Sequence, residues 1–280
     1  MPDIDTPGAR TVRPASFRTS FGTYSAIEAG PGSGAPLVVL LHSMGTSKRM
    51  YEPVMAALPE MRCVAVDALG HGDSDRPMYE YTVPDHASAV IEVLEAVREK
   101  GHPVIVAGCS LGAVFGVEIA ARAPRLVQGL LLNGCPGWHL ESQRIGRLRT
   151  LTTRLLDRDG MPRAGVEMPG AVVEAEPHEH AARRADVQKT GRWLLSTNWA
   201  VTAYDIAARL PKVTATTAVL MGEHDWCVAS SYTLVDGIAG ATHHLLADAG
   251  HQTPYDDPAA IADAIRGIRE RIRREAEGDA

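Results

Sequence analysis

The chain has 280 residues, 45% of them hydrophobic, and a formal net charge of -6, which suits one α/β domain with an insertion better than two independent domains. The acidic balance argues against a nucleic-acid partner, which needs a basic surface, and leaves a small-molecule substrate as the expected partner. No stretch reaches the roughly 18 apolar residues of a membrane span and the N-terminus lacks the basic-then-apolar order of a secretory signal, so no membrane partner is expected and a cytoplasmic location is.

Residues 1 to about 15 are rich in Pro, Thr, Asp and Gly without periodicity and read as a mobile arm. Short strands are expected near residues 16–20 and 23–28, and Gly30-Pro31-Gly32-Ser33-Gly34 turns the chain. The continuous apolar run 36–41 is a strand covered on both faces, ending in His42-Ser43-Met44-Gly45. A helix over about 48–58 leads to a second buried strand at 62–66 and the turn-rich Asp67-Ala68-Leu69-Gly70-His71-Gly72-Asp73-Ser74. From Thr82 to Lys100 the apolar positions keep a helical stripe, with Thr82 and Asp85 spaced as a capping pair.

Next comes VIVAGCSLGAVFGVEIA, residues 104–120. An apolar run enters Gly108-Cys109-Ser110-Leu111-Gly112 and leaves as a helix, the Gly-x-Ser-x-Gly strand-turn-helix pattern. A further strand is expected over 126–132. Residues 137–212 then break the rhythm. They hold an Arg-heavy helix (Arg144, Arg147, Arg149, Arg154, Arg158), a Gly/Pro-interrupted piece near 160–170 and a last helical portion over about 178–210, and read as an inserted helical cap. Strands at 216–221 and 241–246 and helices at 230–238 and 258–274 complete the chain. The expected domains are thus the arm 1–15, an α/β core over 16–136 and 213–280, and the cap 137–212. Alternating strands and helices imply a mostly parallel, doubly wound sheet, whose ligands sit outside the carboxyl ends of the strands.

A serine at the tip of such a turn becomes a nucleophile once a base takes its proton and an acid fixes that base. Ser110 is the candidate nucleophile. Among eleven histidines, His251 follows a strand on the loop before the last helix, so it is the candidate base. The other histidines have simpler places: His243 and His244 lie within the expected strand, one toward the core and one toward solvent, and His178 and His180 lie in the polar cap. Gly222-Glu223-His224-Asp225 supplies the acid, with Asp225 chosen and Glu223 and Asp248 as alternatives. Backbone N–H groups of Leu111 and Met44 are the candidate oxyanion donors. Cys109, one residue off the centre of the turn, should point away. Cys63, Cys109, Cys135 and Cys227 form no Cys-x-x-Cys pair and read as buried thiols. His178 and His180 with Glu179 read as exposed residues rather than metal ligands, so neither metal nor cofactor is expected. A homodimer stays open.

Through LVVLLHSMG, DALGHGDS, GCSLG, GEHD and AGHQTPYDDP in that order, residues 17 to 275 resemble the α/β-hydrolase superfamily. The resemblance implies Ser110 as nucleophile, Asp225 as acid, His251 as base and the amides of Met44 and Leu111 as oxyanion hole. HSMGTSKRMYEPVMAAL is similar to the corresponding segment of 3-oxoadipate enol-lactonases and related esterases, and Ser43 agrees with that subgroup where the wider superfamily more often has Gly. Haloalkane dehalogenases and epoxide hydrolases of this fold use a carboxylate nucleophile, which Ser110 is not. Carbon-carbon hydrolases usually carry Trp after the base, where this chain has Gln252.

The expected activity is therefore that of a serine hydrolase on a small, largely apolar ester or lactone, with carbon-carbon hydrolysis or a non-hydrolytic ring closure on the same triad as the alternative and a non-catalytic receptor behind both. His42, Ser43, Trp138 and Trp226 are expected to line the substrate pocket, while Trp193 and Trp199 serve equally to glue the cap to the core.

Overall fold

The computed structural model of the chain describes residues 12–138 and 140–278; most of the expected arm, residues 1–11, lies outside them. Eight strands form one sheet: β1 (Arg13–Thr19), β2 (Gly22–Ala29), β3 (Leu37–Leu41), β4 (Arg62–Val66), β5 (Val104–Cys109), β6 (Gly129–Asn133), β7 (Thr216–Gly222) and β8 (Thr242–Leu246). Their order across the sheet is β1-β2-β4-β3-β5-β6-β7-β8, with the β1–β2 and β2–β4 pairings antiparallel and every other pairing parallel.

Side chains in the central strands alternate between two core layers with the period of a strand. Val39, Leu41, Val64, Val66, Val104 and Val106 face one layer, which takes in α2 (Val83–Val97) and α3 (Leu111–Arg122). Val38, Leu40, Cys63, Ala65, Ile105 and Ala107 face the other, with α1 (Glu52–Ala57) and the long α9 (Pro258–Glu277). Both faces are covered, which is why these strands read as continuous apolar runs rather than alternating ones. Helix α9 attaches through Ile261, Ala262, Ile265 and Ile268, all buried, and each isoleucine contributes about 2 kcal/mol of apolar burial.

Several expectations shift at their edges. Strand β1 begins at Arg13, inside the stretch read as mobile, because residues 13–15 pair with Glu28, Ile27 and Ala26 of β2. Pro14 is tolerated there because β1 is an edge strand, where a missing N–H faces no partner. The 48–58 helix is a single 3-10 turn at Lys48–Tyr51 followed by α1. Thr82 and Asp85 form the reciprocal cap their spacing implied. His243 and His244 are both exposed, since β8 is the opposite edge of the sheet.

Between β6 and β7 the chain leaves the sheet for α4 (Glu141–Leu155), α5 (Pro177–Thr190) and α6 (Trp193–Ala203); the last two, expected as one helical stretch, are separated at Gly191, whose φ of +58° ends α5. Two short helices, α7 (Ser230–Gly237) and α8 (Thr253–Asp256), complete the connections. No described helix is long and apolar enough to cross a membrane.

Candidate active site

Strand β3 is flanked by β4 on one side and β5 on the other, so the winding direction reverses between β3 and β5. A crevice opens at such a reversal, at the carboxyl ends of the strands. Leu41 pairs with Gly108, so the loops leaving β3 and β5 emerge side by side. The Gly112 N–H donates to the His42 carbonyl (3.2 Å) and ties the loops together.

Ser110 sits between β5 and α3 with φ +52° and ψ -107°, a conformation costing of order 1–3 kcal/mol for a residue with a side chain. The surrounding structure imposes it. A Cβ at Gly108 would lie 2.3 Å from the carbonyl carbon of Gly112, and one at Gly112 would lie 2.0 Å from the Leu41 carbonyl oxygen. Only glycine at both positions lets the strand, the turn and the helix pack this closely.

Ser110 Oγ lies 2.8 Å from His251 Nε2, and His251 Nδ1 lies 2.9 Å from Asp225 Oδ1. The loop after β7 places Asp225, whose N–H donates to the Gly222 carbonyl (3.1 Å); the loop after β8 carries His251. Asp225 is buried, and its Oδ1 also accepts the Cys227 N–H (2.7 Å). Its Oδ2 is buried and has no hydrogen-bond partner among the described residues. Glu223 and Asp248, the alternative acids, are both exposed on neighbouring loops.

The Leu111 N–H is the first of α3 and points out of its positive end. Neither it nor the Met44 N–H finds an acceptor among the described residues. Ser43, Met44, Ser110, Leu111, Trp138, Trp226 and His251 line one small cavity, of about 30 Å³, roughly the space of one water. The insertion supplies the far wall: Arg147 and Leu151 from α4, Met168 from the following loop, Asn198 and Val201 from α6. Gly170 of that loop lies over His251, and its carbonyl accepts the Gln252 N–H (3.0 Å).

Three expected pocket residues therefore border the cavity and one does not. His42 turns inward, with Nδ1 directed at the Ser43 carbonyl (2.6 Å) and Nε2 accepting the Ala68 N–H (2.9 Å). Its ring braces the β3 and β4 loops, and burial pulls its pKa below the ordinary value. Ser43 is held by Gln252, whose Nε2 donates to its Oγ (3.1 Å). Trp193 packs on Gly70 and does join the insertion to a core loop, whereas Trp199 is largely exposed. Cys109 is buried away from the cavity with its Sγ toward the His251 carbonyl (3.6 Å), and burial raises its pKa well above that of a free thiol. The cavity residues Arg147, Leu151, Asn198 and Val201 on helices and Met168 on a loop carry no motif that marks them in the sequence.

Two groups bring three potential metal ligands together among the described residues. Asp225, Cys227 and His251 form the first, but both His251 nitrogens are engaged and burial raises the Cys227 thiol well above its usual range. Glu223, His224 and Asp248 form the second, fully exposed. His180 pairs with Glu167 (2.9 Å), which also takes Arg184 (2.7 Å). A wider groove of about 670 Å³, between Arg98, His102, Arg125 and Arg273, is lined by no serine, threonine or cysteine.

The chain as a whole is similar to known proteins. A model described as "Alpha/beta hydrolase family" matches residues 38–264. A protein of Variovorax paradoxus named "Putative carbamate hydrolase RutD" is 30% identical over 87% of this chain and 94% of its own length. The chain spans no more than about half the length of several other curated relatives it matches. An enol-lactonase from Burkholderia xenovorans superposes with a TM-score of 0.73 at 23% identity, over 91% of this chain and all of its own. A thermophilic esterase from Thermogutta terrifontis does so with a TM-score of 0.75 at 19% identity, over 93% and 99%.

Proposed function

The chain belongs to the alpha/beta hydrolase family, and from that premise we propose that it is a serine hydrolase cleaving small carboxylic esters or lactones through an acyl-enzyme. The observation that carries this reading is the unbroken line of contacts from Ser110 Oγ through His251 to the buried carboxylate of Asp225. Ser110 Oγ attacks the carbonyl carbon while His251 Nε2 takes its proton, and Asp225 stabilises the imidazolium that forms. The N–H groups of Met44 and Leu111 receive the oxyanion, each contributing about 3 kcal/mol to the transition state. His251 then returns the proton to the leaving alkoxide. In the second half His251 takes a proton from water, the hydroxide attacks the acyl carbon, and Ser110 leaves with the proton restored.

Carbamate and enol-lactone hydrolysis, the activities in the names of two relatives, are the same acyl transfer to water. The insertion acts as a cap over the cavity, lining it through α4, α6 and the loop of Met168. Cys109, Cys135 and Cys227 are buried thiols, which suits a reducing cytoplasmic setting. A panel of p-nitrophenyl esters and lactones, with a fluorophosphonate probe, tests the reading. Turnover and labelling of Ser110, both lost in Ser110→Ala, are expected; a wild-type protein that neither turns over any ester nor takes the probe would overturn it.

A further inference from the structure

Most arginines of the insertion behave as a solvated helix face would. Arg184 pairs with Glu167, and Arg149 and Arg154 are exposed. Arg147 differs from them. It lines the cavity that Ser110 lines, and it is the one fixed charge among the described lining residues. Its guanidinium carbon lies over the Trp226 ring (4.3 Å to the centroid), and Trp226 in turn meets the His251 ring at a tilt of 31° (4.0 Å between centroids). No carboxylate or carbonyl among the described residues pairs with it, and its Nε is buried without a partner. The nearest acid, Asp225, is committed to His251 and makes no ion pair with Arg147. Burial pulls the Arg147 pKa down, yet a guanidinium stays charged throughout the working range.

A partly buried charge with no anionic partner, set beside a candidate nucleophile, marks where an anion binds. We propose that Arg147 receives a carboxylate of the substrate, so that the preferred substrates are esters or lactones carrying a second, anionic carboxyl group a few bonds from the scissile carbonyl. The class of reaction rests on the acyl-transfer reading above; the anion site does not. The distance is set by the ring contacts: one indole ring lies between the guanidinium and the imidazole that serves Ser110. Trp226 braces the guanidinium, and the carboxylate takes two parallel N–H bonds that a lysine cannot reproduce.

The test compares kcat/KM for p-nitrophenyl monosuccinate and monoglutarate with the butyrate and valerate esters. The wild-type protein favours the charged pair, and in Arg147→Met and Arg147→Gln the charged-to-neutral ratio falls about 30-fold, with Arg147→Lys in between. A purely structural clamp on Trp226 would change both esters alike, so an unchanged ratio overturns the proposal. Glutarate binding to the full chain, followed by calorimetry, reads the site without any turnover. Loss of binding in Arg147→Met supports the anion site even if no ester is cleaved; binding that is absent in the wild type, or equal in both proteins, overturns it.

Discussion

The two walls of the cavity are built on different physical terms. Ser110, Asp225 and His251 stand at the ends of β5, β7 and β8, where hydrogen-bond register and buried apolar layers on both faces leave each position little freedom. The facing wall comes from the insertion, whose outer helices bury few residues, Leu151 and Leu155 in α4 and Val187 and Thr190 in α5, and only α6 seats several, among them Leu194, Asn198 and Ala200. Polar links join that wall to the core, among them Ser47 Oγ to Asp186 (2.7 Å), Lys189 to Asp73, and the Arg76 guanidinium to the Lys189 carbonyl (2.9 Å). A rigid half that holds reacting groups and a lightly attached half that selects what reaches them are separable by mutation.

Breaking the rigid half has the largest expected effect. Ser110→Ala and His251→Ala each lower kcat for ester turnover by on the order of 10⁴ or more, and Asp225→Asn by about 10⁴, with melting temperatures near wild type. Steady-state kinetics beside thermal melts check this, and full activity in Ser110→Ala would remove the acyl-enzyme mechanism.

Next is the foundation beneath the loops. Lys48 Nζ reaches Asp67 (2.6 Å) and Asp73 (2.8 Å), and the Asp67 carboxylate also accepts the N–H groups of Lys48 and Asp73. Burial disfavours the ammonium of Lys48, but hydrogen bonds to the two aspartates outweigh it and hold its pKa above the ordinary value. Lys48→Met strands the Asp67 charge in the interior and should cost about 3–5 kcal/mol in urea unfolding.

Acid sharpens the comparison, because the core layer holds His86 stacked on Phe115 (4.7 Å). Burial lowers the His86 pKa from 6.5 to about 4. Below pH 6.5 the unfolded chain gains a proton that the folded chain refuses until near pH 4, so this contribution is complete above pH 6.5 and is lost as pH falls from 6.5 to 4. The full loss is about 3 kcal/mol, and His86→Leu should flatten the stability slope over that window in urea melts at pH 7 and pH 5. An unchanged slope would assign the acid sensitivity to other groups. Smallest of all is Lys189→Ala, which removes a half-exposed ion pair of the insertion and should shift global stability by less than about 1 kcal/mol.

Much of the rigid half was legible in the chain. Runs such as 37–41 and 104–109 are apolar at every position because both sheet faces are covered, and a glycine on either side of Ser110 announces the turn. Strand order placed Ser110, Asp225 and His251 at one end of the sheet. The sequence alone left three acids in contention, since Glu223, Asp225 and Asp248 all lie on loops beside strand ends. Tertiary packing separates them: the turn after β7 buries Asp225 against His251 and leaves the other two in solvent. His42 turns away from the cavity for a related reason, because a strand-end position does not fix which way a ring turns.

What the sequence by itself determined is the sheet, its helices and the few positions where chemistry can occur, since these follow from local patterns of period two and of 3.6 residues and from glycines with no alternative. Only the tertiary structure decided that Arg147, one arginine in a helix crowded with them, faces the cavity while Arg149 and Arg154 face water. A polar helix has no strong apolar stripe to fix its rotation, so which of its charges turns inward depends on what it lies against.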